Sequence, residues 1–421
     1  MFALIDCNSF FCSVEKVFHP GLEGKPVVVL SSNDGCIVAL TPEAKAVGLH
    51  RGDPIFKARD IVRRHHVHVF SSNMMLYAAM SRRIVSIMRE SVSHVEQYSI
   101  DESFCDLHGY DAHFDLVDLM RSLKDKILLY TDVPVSVGIA PTKTLAKMGS
   151  KFAKQYPGYR GVCMIDTDEK RRKALSLFPL DDVWGIGRQT LAKLAYCGIQ
   201  SPLEFADRSE SWVRSHLAKP GLQTWLELNG HPCIDTAEVH LKKTVCTSRS
   251  FGEMVSDLDS LRASIVTFAG SCAGKLRGQA SGARSVTVFI ASNRFRTDLP
   301  QYATSATVTL PVPTADTFEI TRAAVQALQG IWREGIHYKR SGVIVSDIVP
   351  NAGIEGSLFD TVPNRPERAH LMQQIDRLNC RYGLKTIQMA AEGDDRQSWR
   401  VKCDYRSGNY LTDIHDLLTV K

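Results

Sequence analysis

The stretch VEQYSIDESFCDL, Val95 to Leu107, sets two carboxylates, Asp101 and Glu102, side by side in a strand-like segment. Val95, Tyr98, Ile100, Phe104 and Leu107 give it the β-branched and aromatic character of a buried strand or hairpin. Neighbouring side chains on a strand point to opposite faces, so one carboxylate would be aimed at the core unless the chain bends or ends there. A bulge at Ile100–Ser103 would re-aim one of them. A site at the strand end is the expected solution, because Asp is short while Glu carries one more methylene and can reach in from the side.

Asp6 closes the first apolar strand, so if the two strands are neighbours three carboxylates converge. Half-buried together they cannot all stay ionised without a cation, because mutual repulsion would raise one pKa. Oxygen-only donors favour Mg²⁺, which takes one or two carboxylates together with substrate phosphates and water. Two such ions about 4 Å apart would activate a hydroxyl and stabilise a leaving pyrophosphate. The histidines of RRHHVHVF invite a metal reading too, since His66 and His68 would share a strand face, but no third ligand follows them.

With 421 residues the chain is expected to hold two to four domains, at roughly 100–200 residues each. Strands mixed with helices over the first 166 residues suggest an α/β layer, with 31–75 reading as polar turns and the helix PEAKAVGL. A helical block follows, in which two helices are expected around Gly185-Ile186-Gly187. There the absence of a Cβ lets backbone N–H groups approach a phosphate, and the pattern resembles a helix-hairpin-helix DNA-backbone module. From Lys242 the order is β-α-β-β-α-β, one open sheet with both helices on one face. After Pro350 a Gly/Pro/Asn-rich linker leads to a tail with a helix near Ala369–Leu378.

Net charge is only +5, but its distribution is uneven. Thr142–Lys173 carries nine basic residues against three acidic, with Lys143, Lys147, Lys151 and Lys154 at helical spacing, and Lys242–Pro350 carries 13 against 8. Two basic interior blocks are what a phosphate-contacting surface requires, although a solvated helix face also fits the first. The eleven cysteines include no C-x-x-C and read as reduced core thiols. With no basic n-region at the start and no apolar run of about 20 residues, a cytoplasmic protein that does not enter the membrane is expected.

The segments DCNSFFCSVE, YSIDESFCDL, GIAPTKTLAKMGS, VWGIG and SRSFG, in this order, resemble the motif set of the Y-family translesion DNA polymerases. SSNDGCIVAL and FSSNMMLYAAMS resemble the UmuC-type branch of that family. The resemblance covers roughly residues 1–350. It implies a multidomain α+β and α/β right hand: a ferredoxin-like palm (1–30 and 76–167), small fingers (31–75), a helix-hairpin-helix thumb (168–241), a β-α-β-β-α-β little finger (242–350) and a partner-binding tail (351–421). The implied activity is template-directed, low-fidelity transfer of a nucleotide from a deoxynucleoside triphosphate to a primer 3′-hydroxyl opposite damaged template.

Carried onto this sequence, the resemblance makes Asp6, Asp101 and Glu102 the holders of two Mg²⁺ ions, with the Cys7 main-chain carbonyl as a further ligand. Phe10 and Phe11 stand at the nucleotide, and Phe11 is the steric gate that excludes a 2′-hydroxyl by clash. Lys45 and Lys154 would contact the triphosphate; three residues before Lys45 the family often has a Tyr, and this chain has Pro42. Gly35, Cys36 and Ile37 would roof the templating base loosely. Gly185, Ile186, Gly187 and Arg249 would meet the DNA backbone. SLFD, with Leu358 and Phe359, resembles a sliding-clamp peptide, although Glu355 replaces the usual Gln and would weaken it. Further implied partners are primer–template DNA, a processed UmuD-type dimer and RecA. A non-catalytic DNA-binding scaffold and a palm-fold nucleotidyl cyclase are the competing readings. The cyclase leaves the hairpin module and second sheet without purpose.

Overall fold

The computed structural model describes residues 1–236, 241–358, 360, 362–383, 386–393 and 399–418. Contacts divide the chain into two units, one of Met1–Ser31, Gly35–Val239 and Tyr405–Lys421, the other of Ser32–Asp34 and His240–Asp404. The stretch expected to form one C-terminal tail is therefore shared between them.

The first unit holds β1 (Phe2–Cys7), β2 (Val27–Leu30), β3 (Ile37–Leu40), β4 (His68–Ser71), β5 (Val95–Gln97), β6 (Glu102–Asp106), β7 (Val135–Ala140) and β8 (Val162–Met164). Five of these make a sheet in the order β5-β6-β1-β7-β8, with β1 antiparallel to both neighbours and β8 parallel to β7. Strand alternation splits β1 between two cores. Ala3, Ile5 and Cys7 pack with the helices Phe10–Phe18, Met74–Ser91 and Leu116–Thr131. Leu4, and Phe104 of β6, pack on the other side with the helix Lys143–Gln155 and with the thumb helices.

That last helix lies on the sheet through two glycines. A Cβ on Gly138 would stand 2.0 Å from the Ala146 carbonyl oxygen and 2.1 Å from the Ser150 amide, and one on Gly149 would meet the Gly138 Cα at 3.1 Å. Both obstacles are backbone, so nothing can rotate away. Gly138→Ala is therefore expected to lift the helix off β7 and destabilise the first unit by about 3 kcal/mol or more. Urea denaturation should show this as a lower midpoint at similar slope, and an unchanged midpoint would contradict the close packing.

The N-terminus of the same helix is capped by Thr142, whose side chain accepts from the Leu145 amide, and by the buried Glu227, which accepts from the Thr144 amide at 2.9 Å. A carboxylate there suits the positive end of the helix dipole. Glu227 belongs to the thumb helix Lys219–Leu228, so it ties thumb to palm.

Residues 31–75 hold more regular structure than the sequence suggests. The helix Ile55–Arg64 and strands β3 and β4 appear where polar turns were expected, and β2 is the centre of a three-stranded sheet, parallel to β4 and antiparallel to β3. His66 has a left-handed backbone (φ 48°) and precedes β4, so it does not share a strand face with His68. The expected hairpin of two thumb helices is also modified: the glycines lie between a short 3₁₀ turn, Leu180–Asp182, and the helix Arg188–Tyr196.

The second unit contains β9 (Val245–Val255), β10 (Ser281–Ser292), β11 (Ala303–Thr314) and β12 (Tyr338–Pro350) in the order β11-β10-β12-β9, all pairs antiparallel. The helices Leu258–Gly278 and Thr317–Ile331 share one hydrophobic core with it, as the β-α-β-β-α-β pattern requires. The helix Arg365–Tyr382 joins this unit through Arg277–Asp376 (2.6 Å), Arg368–Asp316 (2.9 Å) and Arg365–Glu319 (3.0 Å). All eleven cysteines are free thiols. Among the described residues no helix is long and apolar enough to cross a membrane.

Candidate active site

The register of β1 and β6 sets Asp6 directly opposite Glu102. Both lie on the Leu4/Phe104 face and look toward the helix Lys143–Gln155. Asp101 escapes the alternation rule because β6 begins only at Glu102. It occupies the preceding turn, where its carbonyl accepts from the Cys7 amide at 2.9 Å and its carboxylate accepts from the Ser99 hydroxyl at 2.6 Å. The Ser99 Oγ also accepts from the Asp101 and Glu102 amides, at 3.2 and 3.0 Å, which fixes the turn. The site is therefore at the strand end, without a bulge in the β1–β6 pairing.

A cleft of about 310 Å³ opens here, lined among others by Asp6, Glu102, Lys147, Lys151, Lys154 and Trp184. Lys154 Nζ lies 3.3 Å from Asp6, and Lys147 Nζ lies 2.8 and 2.9 Å from the two Glu102 oxygens. Lys147 also sits over the rings of Tyr98 (4.7 Å) and Trp184 (5.2 Å), whose indole N–H donates to the Tyr98 hydroxyl. Lys151 pairs with Asp182, and Lys143 bonds Glu96 at 2.7 Å. All four lysines of the stripe thus face acidic partners, Lys143 and Lys147 as largely buried counter-charges and Lys151 and Lys154 on the solvated part of the helix. Lys147 was not among the expected site residues, although its helical spacing with Lys154 carried the signal.

Each of the three carboxylates is turned to its own partner, and among the described residues no group of three His, Cys, Asp or Glu side chains is arranged as a metal-ligand set. The donor chemistry nevertheless fits divalent cations: the carboxylates offer only oxygens. Burial pushes the Asp6 carboxyl above the usual carboxylate range, Lys154 opposes that shift, and Glu102 and Asp101 add to it. A cation between them would relieve the repulsion.

Phe11, in the helix Phe10–Phe18, is half-buried and stacks on Tyr77 with ring centroids 4.4 Å apart and planes at 15°. Phe10 is a core residue, 3% exposed, so its ring supports the helix and is not available to a nucleotide. Lys45 is exposed on the short helix Pro42–Ala46. Of the expected roof, Gly35 and Cys36 are accessible, but Ile37 is fully buried in the fingers core. The β2–β3 register shifts at Val38, so Val38 and Ala39 both pack with the core around Ala3 and Ile5 while Ile37 and Leu40 pack in the other core.

Gly185 has φ +93°, and a Cβ there would meet the Thr224 hydroxyl at 2.2 Å, so this glycine is required by packing. Gly187 is open, with nothing within 4 Å of a Cβ, and it precedes the helix Arg188–Tyr196. Ile186 is buried, leaving only its backbone to face a phosphate. In the second unit Arg249 is exposed on β9. Leu358 is fully exposed, and Phe359 lies outside the described residues.

Solved structures of Y-family DNA polymerases share this fold. A chimera of the Y-family polymerases Dbh and Dpo4 matches with a TM-score of 0.64 at 23% identity, over 83% of this chain and all of that one. DinB from Sulfolobus solfataricus matches with a TM-score of 0.51 over the same shares. The impB/mucB/samB family matches at residues 5–151, its C-terminal domain at 242–358, and a domain of unknown function (DUF4113) at 369–420. Protein UmuC of Salmonella typhimurium is 41% identical over the whole of both chains, and DNA polymerase IV of Bacillus subtilis strain 168, named DNA polymerase IV 1, is 27% identical over 92% of each. The chain belongs to the impB/mucB/samB family, the UmuC-type branch of the Y-family polymerases. Its activity is that of a DNA-directed DNA polymerase of the translesion class, and the scaffold reading is not favoured.

Proposed function

We propose that Asp6, Asp101 and Glu102 hold two Mg²⁺ ions and that nucleotidyl transfer takes place in the cleft between them and the lysine helix. The observation that carries this is the pairing of Asp6 with Glu102 across β1 and β6, with Asp101 in the adjoining turn. When bound, the ions would activate the primer 3′-hydroxyl and stabilise the leaving pyrophosphate. Cys7 adds its main-chain carbonyl at the end of β1. Lys154 changes partner from Asp6 to the triphosphate and offsets charge on the leaving phosphates, with Lys45 approaching from the fingers. Phe11 excludes the 2′-hydroxyl. Gly35 and Cys36 leave the templating base thinly covered, which favours damaged templates and low fidelity. The exposed backbone at Gly187 and the Arg249 side chain meet the DNA phosphates.

Partners follow from the UmuC-type resemblance: a processed UmuD-type dimer and RecA, in the cytoplasm. The sliding clamp is a further partner, supported by the exposed Leu358. Lys154→Ala tests the site by primer extension. Losing a charged contact to phosphate should reduce kcat/KM for the nucleotide by roughly 10–100-fold. An unchanged kcat/KM would remove Lys154 from the triphosphate.

A further inference from the structure

The residues behind the sugar-facing ring form a buried relay that ends far away in sequence. Phe11 stacks on Tyr77, which is fully buried in the helix Met74–Ser91. The Tyr77 hydroxyl donates to Glu15 Oε1 at 2.6 Å. Glu15 lies one helical turn beyond Phe11, is fully buried, and its Oε2 has no hydrogen-bond partner among the described residues. Its second donor is the Ser407 hydroxyl, 3.0 Å from the same Oε1. A buried carboxyl with so few donors depends on each of them, and burial pushes its pKa up.

Ser407 is itself held in place. The Ser71 amide at the end of β4 donates to the Tyr405 carbonyl at 3.0 Å, and the Tyr405 amide donates to Ser71 Oγ at 2.9 Å. Asn73, which caps the helix carrying Tyr77, donates to the Ser407 and Gly408 carbonyls at 3.0 and 3.2 Å. Tyr410 stacks on Phe18, the last residue of the helix carrying Phe11, with centroids 4.8 Å apart. The segment Tyr405–Tyr410 thus grips both helices that set the position of the Phe11 ring.

We propose that Tyr405–Tyr410 is a positioning element for the sugar gate: Ser407 fixes Glu15, Glu15 fixes Tyr77, and Tyr77 backs Phe11, so this segment sets discrimination against ribonucleotides from outside the nucleotide pocket. Selection by clash works only while the ring cannot retreat. A ring that shifts by a fraction of an ångström admits the extra hydroxyl without weakening binding of the correct sugar. Ser407 and Glu15 are positioning residues, and the inference rests on Phe11 acting as the gate.

The test is single-nucleotide primer extension by the full chain, comparing kcat/KM for a deoxyribonucleotide with that for its ribonucleotide. Ser407→Ala should lower the ratio about fivefold, the worth of one ordinary hydrogen bond, by raising the ribonucleotide value alone. Tyr77→Phe, which keeps the stacked ring and removes the hydroxyl, should do the same, and Ser407→Thr should keep the wild-type ratio. In a Phe11→Ala background Ser407→Ala should add nothing. Should Phe11→Ala lower the ratio while Ser407→Ala and Tyr77→Phe leave it alone, or lower both values equally, the positioning role is overturned and the gate stands. Should Phe11→Ala leave the ratio unchanged, the gate reading falls and this inference with it.

Discussion

Asp101→Asn is expected to abolish primer extension, lowering kcat by about 10³-fold or more, the equivalent of about 4 kcal/mol of transition-state stabilisation. The substitution is nearly isosteric. An Asn at this position still offers an oxygen to the Ser99 hydroxyl, and the bond from the Cys7 amide goes to the Asp101 backbone carbonyl, so the turn keeps its shape. What disappears is one negative charge at the strand end, and with it most of the attraction for divalent cations. Glu102→Asp is the milder change, because it keeps the charge and shortens the reach by one methylene, drawing the carboxylate back from Lys147. A trace of activity should remain. Primer–template binding, followed separately, should survive both substitutions. Wild-type rates in Asp101→Asn would remove this carboxylate from the chemistry. No activity in the wild type, with a UmuD-type dimer and RecA supplied, would revive the scaffold.

The features of this site that follow short-range periodicity were legible in the sequence. Two adjacent carboxylates in a strand-like run can coexist only where alternation stops, and β6 indeed begins at Glu102. The lysine stripe follows from helical spacing. Its targets do not, because they depend on how closely the helix Lys143–Gln155 approaches β7, and that is decided by Gly138 meeting Gly149. The fingers sheet escaped for a related reason. Its central strand β2 is buried on both faces and pairs in parallel with β4, across a long crossover that leaves no local mark. Ile37 shows the cost of assigning a role by motif position alone: small size suggested a roof, while a strand bulged at the next residue turns the side chain into the core. Glu15 was the least legible. It reads as an ordinary polar helix residue, and one of its two hydrogen-bond donors, Ser407, arrives from far along the chain.

Phe11→Ala is expected to raise kcat/KM for ribonucleotides by roughly a hundredfold, equivalent to about 3 kcal/mol of relieved clash. The direction discriminates between mechanisms. If Phe11 chose the sugar by favourable contact, its removal would cost the deoxyribonucleotide most of its affinity; if it chooses by exclusion, the wrong sugar gains and the right one changes little. The environment of the ring favours exclusion. Phe11 is held on one side by Tyr77 at 4.4 Å, with Phe10 behind it at 5.9 Å, so the ring is braced against being pushed back. Steady-state incorporation of a matched ribonucleotide and deoxyribonucleotide separates the two outcomes. Phe11→Leu refines them, because a branched aliphatic side chain fills part of the space without presenting a flat face. It should fall between Ala and Phe in ribonucleotide use while keeping wild-type deoxyribonucleotide kinetics. A ribonucleotide rate unchanged in Phe11→Ala would place the sugar check elsewhere in the cleft.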